Sequence, residues 1–236
     1  MPEPLYTDLN MSVVAHRGYA SKYLENTITA LDEAVKVGAE MVEFDVQLTK
    51  DGIPIMIHDD NFKRTTGLDL NVFELNKNDF QTHIALQEVS SVEEVMVWLR
   101  ANPKVTAFVE IKQASILFHG LEKCMKALKN VCETALSQCV LISFNPHAVE
   151  EAIKTGFHQT GWVVISYDAA GEKIARNMNP NYLFADTEIL PEGTDKLWVG
   201  QWDWVIYEVV SKEVARKLHP RGVGIIETKE VEKMLS

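Results

Sequence analysis

Glu43 and Asp45 are separated by the single residue Phe44, inside the apolar run 41–48. In a β-strand, residues i and i+2 share a face, so both carboxylates point the same way. Adjacent anions repel unless a cation lies between them. A third carboxylate, Glu110, falls near the end of another apolar run, 105–111. Three carboxylates without cysteine suit a hard divalent cation. Mg²⁺ is favoured on availability, and Ca²⁺ fits if the site is expanded and flexible. Acids are usually exposed, and a lone Glu-x-Asp is an ordinary strand end. Here Val42, Phe44 and Val46 are apolar, so the strand reads as buried and its acids need a reason.

Of the seven histidines, only His16 and His58 fall at strand ends beside these acids. An imidazole titrates near neutral pH, so two of them can divide acid and base roles. Arg17 and Lys112 supply fixed positive charge at the same end. Each could pair with the carboxylates or, together with a metal, hold a phosphoryl group. His83, His119, His147, His158 and His219 read as structural hydrogen-bonders.

The elements that must position these groups alternate. Strand-like runs at 12–15, 41–48, 105–111, 140–144, 161–165, 182–185, 205–209 and 223–226 are separated by helical patterns. The clearest helix start is Ser91-Val92-Glu93-Glu94, a capping box. Asn26 is expected to cap the first helix and Gly38 to end it, and 116–131 reads as mostly helical. An extra extended run at 53–57 carries Pro54, which suits an edge. Alternation of this kind implies parallel strands with crossover helices. Eight units in 236 residues fit a single-domain α/β fold over 1–236, a (β/α)₈ TIM barrel with a small hairpin or loop insertion between strands 2 and 3. The site would then lie at the carboxyl ends of the strands, where the polar residues accumulate.

Composition is that of an ordinary globular protein. Hydrophobic residues make up 46% and charged residues 24%, which excludes disordered, collagenous and coiled-coil classes. No apolar run approaches the ~20 residues of a membrane span. The net charge of −11 argues against nucleic acid or an anionic membrane as a general partner. Residues 1–10 lack the basic and apolar regions of a secretory signal. Cys124, Cys132 and Cys139 have no metal-ligand spacing, so they read as buried hydrophobes in a reducing, cytoplasmic setting.

The ordered set His16-Arg17-Gly18, Glu25-Asn26-Thr27, Glu43-Phe44-Asp45-Val46, Thr49-Lys50-Asp51-Gly52, His58-Asp59 and Arg64-Thr65-Thr66-Gly67 resembles the glycerophosphodiester phosphodiesterase family. Val109-Glu110-Ile111-Lys112 and Ser143-Phe144 resemble its later motifs. The resemblance is dense over 12–67 and patchier beyond. It implies a barrel and metal-dependent hydrolysis of a small glycerophosphodiester to glycerol 3-phosphate and an alcohol. It also implies roles: His16 and His58 as the acid/base pair, Glu43, Asp45 and Glu110 as metal ligands, and Arg17 and Lys112 as phosphate binders. Glu25 would support the site and Asp59 would orient His58.

Three departures from the family pattern stand out. The stretch between Gly67 and Val105 is short. The last strand reads Gly224-Ile225-Ile226-Glu227-Thr228, without the aspartate common after threonine. Glu208 occupies the place of the family's amide after the seventh strand. It is expected either to pair with a nearby lysine or arginine, or to favour a cationic head group such as choline. Two other functions compete. One is phospholipase-D-like hydrolysis of lysophospholipids, needing apolar surface at the mouth. The tracts Ile116-Leu117-Phe118 and 198–204 are candidates, though core packing is the expectation for both. The other is a non-catalytic binding barrel, which would be expected to lose a histidine or carboxylate first.

Overall fold

The computed structural model describes residues 11–236, so the expectation for residues 1–10 lies outside the described residues. Nine strands form one sheet: β1 (Ser12–Ala15), β2 (Met41–Leu48), β3 (Pro54–Met56), β4 (Thr106–Ile111), β5 (Cys139–Ser143), β6 (Gln159–Val163), β7 (Tyr182–Asp186), β8 (Asp203–Tyr207) and β9 (Val223–Thr228). Eight of them pair in parallel, and β1 bonds both β9 and β2, which closes the barrel. β3 pairs antiparallel with β2 on the outside. Its Pro54 sits where a missing N–H costs no barrel bond.

Period-two alternation sorts each strand into two environments. On β2, Val42, Phe44, Val46 and Leu48 face the surrounding helices in one large apolar core. Met41, Glu43, Asp45 and Gln47 take the opposite face. On β4, Ala107, Val109 and Ile111 join that outer core, while Phe108 turns inward. The barrel interior is filled by Val14, Phe108, Val140, Ile142, Val163, Phe184, Val205 and Ile225. Phe108 meets Phe184 edge-on with ring centroids 5.1 Å apart. The lower barrel is therefore packed solid, and its upper end is left for polar groups.

The insertion after β2 is compact. Ile55, Ile57, Phe62, Val72, Leu75 and Leu86 make a satellite core beneath it. The following helix, Val92–Ala101, has both halves of its capping box, Ser91 to the Glu94 N–H and the Glu94 carboxylate back to Ser91. The run 116–131 is mostly helical, as expected, and is divided between two helices, Gln113–His119 and Leu121–Cys132, at Gly120 with φ +83°. The first helix cap is corrected. Thr27, not Asn26, accepts the Ala30 N–H, because Asn26 is engaged elsewhere. Cys124, Cys132 and Cys139 are buried free thiols. Among the described residues, no helix is long and apolar enough to cross a membrane.

Candidate active site

The turn after β1 places His16 and Arg17. Arg17 adopts a left-handed φ of +58° and Gly18 one of +76°. A Cβ at Gly18 would lie 2.6 Å from the Ala30 backbone, so only glycine lets this turn approach the first helix. Arg17 N–H then donates to Glu43 Oε2 at 3.0 Å. Asn26, also left-handed, locks Asp45 from two directions. Its amide donates to Asp45 Oδ2 at 2.9 Å, and its carbonyl accepts the Asp45 N–H at 3.0 Å.

Asp45 is a charge hub. Arg17 Nε lies 3.0 Å from Oδ2, an ion pair although it is not aligned as a hydrogen bond. Lys112 Nζ reaches Asp45 Oδ1 at 3.1 Å and Glu110 Oε1 at 2.6 Å. Parallel register puts Asp45 opposite Glu110. One carboxylate oxygen from each of Glu43, Asp45 and Glu110 lies within 4.8 Å of the others. β3 returns the chain so that Ile57 N–H bonds Asp45 O at 3.0 Å, which delivers His58 to the same rim.

The two histidines are held alike. His58 Nδ1 lies 2.7 Å from Asp59 Oδ1, and His16 Nδ1 lies 2.7 Å from Glu208 Oε2. Asp59 is braced in turn by Arg64, which also holds Glu25, and Glu25 holds Arg17 at 2.9 Å. Glu25 thus sits between two guanidinium groups. His16, Arg17, Glu43, His58, Glu110, Lys112, Tyr207 and Glu227 line one cavity of about 120 Å³, closed below by Ile142, Phe144, Val163 and Phe184.

Electrostatics separate these groups. Burial would raise Asp45, but Lys112 and Arg17 overcome it and hold the carboxylate down to about 2. Burial, then Asp45 and Glu227, push Glu43 well above the usual carboxylate range. Burial and Asp45 raise Glu110 despite Lys112. Burial acts against a charged His16, yet Glu227 and the Glu208 hydrogen bond outweigh it and raise its pKa. His58 is lowered by burial, which Asp45 only partly offsets.

The Oε1 atoms of Glu43 and Glu227 are buried without a hydrogen-bond partner. An acceptor-only oxygen so placed needs a donor or a cation. A divalent ion among Glu43, Asp45 and Glu110 would supply one to Glu43 and relieve the repulsion that adds to burial in raising Glu43 and Glu110. The all-oxygen donor set fits a hard cation.

Glu227 is the residue that sequence reasoning missed. The last strand was expected to end at Ile226, whereas β9 continues to Thr228 and pairs Glu227 with Val14. The i+2 rule applied to Ile225 would have found it. Burial first, then Glu208, Glu110 and Asp45 against an opposing His16, raise it to about 7. The folded chain therefore keeps a proton that the unfolded chain loses near pH 4.5. This contribution to stability is full below pH 4.5 and is lost as the pH rises through about 7. Glu227→Gln is expected to raise the Tm of the metal-free protein at pH 8, by up to roughly 3 kcal/mol in stability. The gain should be much smaller at pH 5. Thermal melts in EDTA test this, and equal Tm values at pH 8 would refute it.

Arg64 stands in a motif that resembles the family's, but its bracing of Asp59 and Glu25 depends on the tertiary fold. The expectation that Glu208 pairs with a lysine or arginine side chain is corrected, since its partners are His16 and the Lys229 backbone N–H.

A model of the glycerophosphoryl diester phosphodiesterase family matches residues 16–162. A glycerophosphodiester phosphodiesterase of Caldanaerobacter subterraneus subsp. tengcongensis is 30% identical over 241 residues, covering 95% of this chain and 96% of that protein. Lysophospholipase D GDPD1 of Homo sapiens is 39% identical over only 77 residues, 33% of this chain and 24% of that protein. In fold, the chain resembles a phosphodiesterase of Oleispira antarctica solved in complex with the product sn-glycerol-3-phosphate. That likeness has a TM-score of 0.80 at 20% identity and covers 94% of both chains.

Proposed function

The chain belongs to the glycerophosphoryl diester phosphodiesterase family and is a phosphoric diester hydrolase with glycerophosphodiester phosphodiesterase activity, and from that premise we propose how residues 1–236, as one catalytic domain, carry it out. The substrate is a small glycerophosphodiester, hydrolysed to glycerol 3-phosphate and an alcohol. The observation that carries this reading is the pair of imidazoles facing one cavity, each held at Nδ1 by a carboxylate. Glu43, Asp45 and Glu110 would hold a divalent cation, Mg²⁺ in preference to Ca²⁺, which would supply charge neutralisation at the phosphoryl group and lower the pKa of the neighbouring glycerol hydroxyl.

Arg17 and Lys112 orient the phosphoryl oxygens from the rim. One histidine takes the proton of the glycerol hydroxyl next to the ester as its oxygen attacks phosphorus. The other gives a proton to the departing alcohol, so the P–O bond to the head group breaks and a cyclic phosphate forms. Water then opens the ring with the histidine roles exchanged, which leaves glycerol 3-phosphate. Such acid–base help is worth about 10²–10⁴-fold. The buried, unpaired cysteines support a cytoplasmic setting. Glycerol 3-phosphate release from glycerophosphocholine, glycerophosphoethanolamine and glycerophosphoinositol tests the reading. No release from any of them with Mg²⁺ or Ca²⁺ present would overturn it.

One observation favours a second substrate class, the lysophospholipids. Ile116 is buried as expected, but Leu117 is 77% and Phe118 54% exposed, on the helix that follows Lys112. Phe118 also stacks on Phe73 at 4.6 Å. In the tract 198–204 the rings pack as expected, with Trp202 and Trp204 buried and Trp198 stacked on Tyr167, and of its large apolar side chains only Val199 is exposed. An acyl chain resting on Leu117 and Phe118 would make the double change Leu117→Ser with Phe118→Ser slow lysophosphatidylcholine hydrolysis by about 10-fold, the loss of roughly 1–2 kcal/mol of apolar contact. Glycerophosphocholine turnover should stay within about twofold of wild type on the same contact argument. An equal effect on both substrates would remove this reading.

A further inference from the structure

Glu208 stands just beyond β8, where the family pattern has an amide, and both of its carboxylate oxygens are engaged. Oε2 lies 2.7 Å from His16 Nδ1, and Oε1 accepts the Lys229 N–H at 2.6 Å. Lys229 directly follows β9, and the His16 N–H bonds Thr228 O at 3.0 Å. The side chain therefore reaches from the end of β8, past β9, to the residue that follows β1. Its backbone anchor at Lys229 fixes where the second oxygen can be.

A carboxylate only accepts, so the proton of this hydrogen bond lies on Nδ1. Nε2 is then the ring nitrogen left to the cavity, 3.9 Å from Glu43 Oε2. Asp59 makes the same contact with His58 at the same distance and is itself braced by Arg64. The two histidines differ in sequence context, since Asp59 is the next residue after His58 while Glu208 is 192 residues from His16.

Resting on the phosphodiesterase reading, we propose that Glu208 is a positioning residue for His16, holding one tautomer and one ring orientation so that Nε2 addresses the substrate. With both oxygens engaged inside the protein, Glu208 is assigned to the ring and not to a cationic head group.

The test uses the full chain with Mg²⁺. Glu208→Ala is expected to lower kcat on the order of 10- to 100-fold, the usual scale for misplacing a catalytic group. KM should stay within about twofold, and the loss should be the same for glycerophosphocholine and glycerophosphoinositol, since the mispositioned ring serves both. Glu208→Gln keeps an acceptor for Nδ1 and is expected to recover part of kcat; it also serves if the alanine variant fails to fold. A low-field imidazole N–H proton resonance should be present in wild type and in Glu208→Gln, and absent from His16→Gln and Glu208→Ala.

Wild-type kcat in Glu208→Ala would overturn the proposal. So would a loss confined to KM for the choline and ethanolamine substrates, or a His16 resonance indifferent to Glu208. If wild type releases no glycerol 3-phosphate at all, the phosphodiesterase reading fails, and the His16 resonance still decides the positioning role.

Discussion

His16→Ala and His58→Ala are each expected to lower glycerol 3-phosphate release by at least ~10²-fold while folding is retained. The size follows from what each ring would do. One removes a proton from an alcohol and the other protonates an alkoxide leaving group, and neither step has a nearby substitute. Asp59 and Glu208 hold the rings, while Lys112 and Arg17 are kept charged by Asp45 and its neighbours and offer no base. Folding should survive because neither ring belongs to the apolar cores, and its removal leaves a carboxylate that still has another partner, Arg64 for Asp59 and Lys229 N–H for Glu208. Near-wild-type turnover by either variant would end the two-histidine assignment. A double variant no worse than the singles would indicate that the pair works as one unit.

Removing the cation is expected to have the other large effect. Chelation with EDTA should abolish turnover, and Mg²⁺ should restore it. Glu43→Gln should cost several kcal/mol of transition-state stabilisation, on the order of 10³-fold. The same substitution should make the metal-free protein more stable. Glu43 is 2% exposed, its Oε1 has no partner, and burial with Asp45 and Glu227 nearby opposes its charge. Activity and stability moving in opposite directions is the signature of a carboxylate kept for a cation instead of for the fold. Calorimetric titration with Mg²⁺ and a metal-free thermal melt measure the two sides. Wild-type Mg²⁺ affinity in Glu43→Gln, or full activity after exhaustive chelation, would sink the assignment.

Much of this is legible in the sequence. The alternation of β2 placed Val42, Phe44, Val46 and Leu48 on one face and so required Glu43 and Asp45 to share the other. The recurrence of strand and helix patterns implied a parallel closed barrel. Residues at strand ends marked the rim. These inferences are local, depending on period two, on a helical repeat and on the turn chemistry of glycine and proline. They succeed because alternate residues of a strand face opposite ways, and the outward face of β2 must be apolar to meet the surrounding helices.

The failures are equally physical. Asn26 looked like a helix cap because its type and position suit one, but Asp45, 19 residues away, offers a buried carboxylate that needs donors. Thr27 caps the helix instead. Leu117 and Phe118 read as core because they are large and apolar, yet the break at Gly120 starts a new helix and leaves them exposed. Glu227 escapes the sequence pattern because the apolar run 223–226 ends before it, whereas β9 continues to Thr228 and keeps it in the inward-facing series.

The sequence by itself determined the barrel, the carboxylate trio and the two histidines, because period and strand-end position act within a few residues. Only the tertiary structure decided who holds whom. The turn after β1, the register between β2 and β4, and the meeting of β8 with β9 and β1 bring Glu208 to His16 and Glu227 beneath them. Closure of a sheet makes neighbours of residues about two hundred positions apart, and no local pattern in the chain encodes which oxygen will meet which ring.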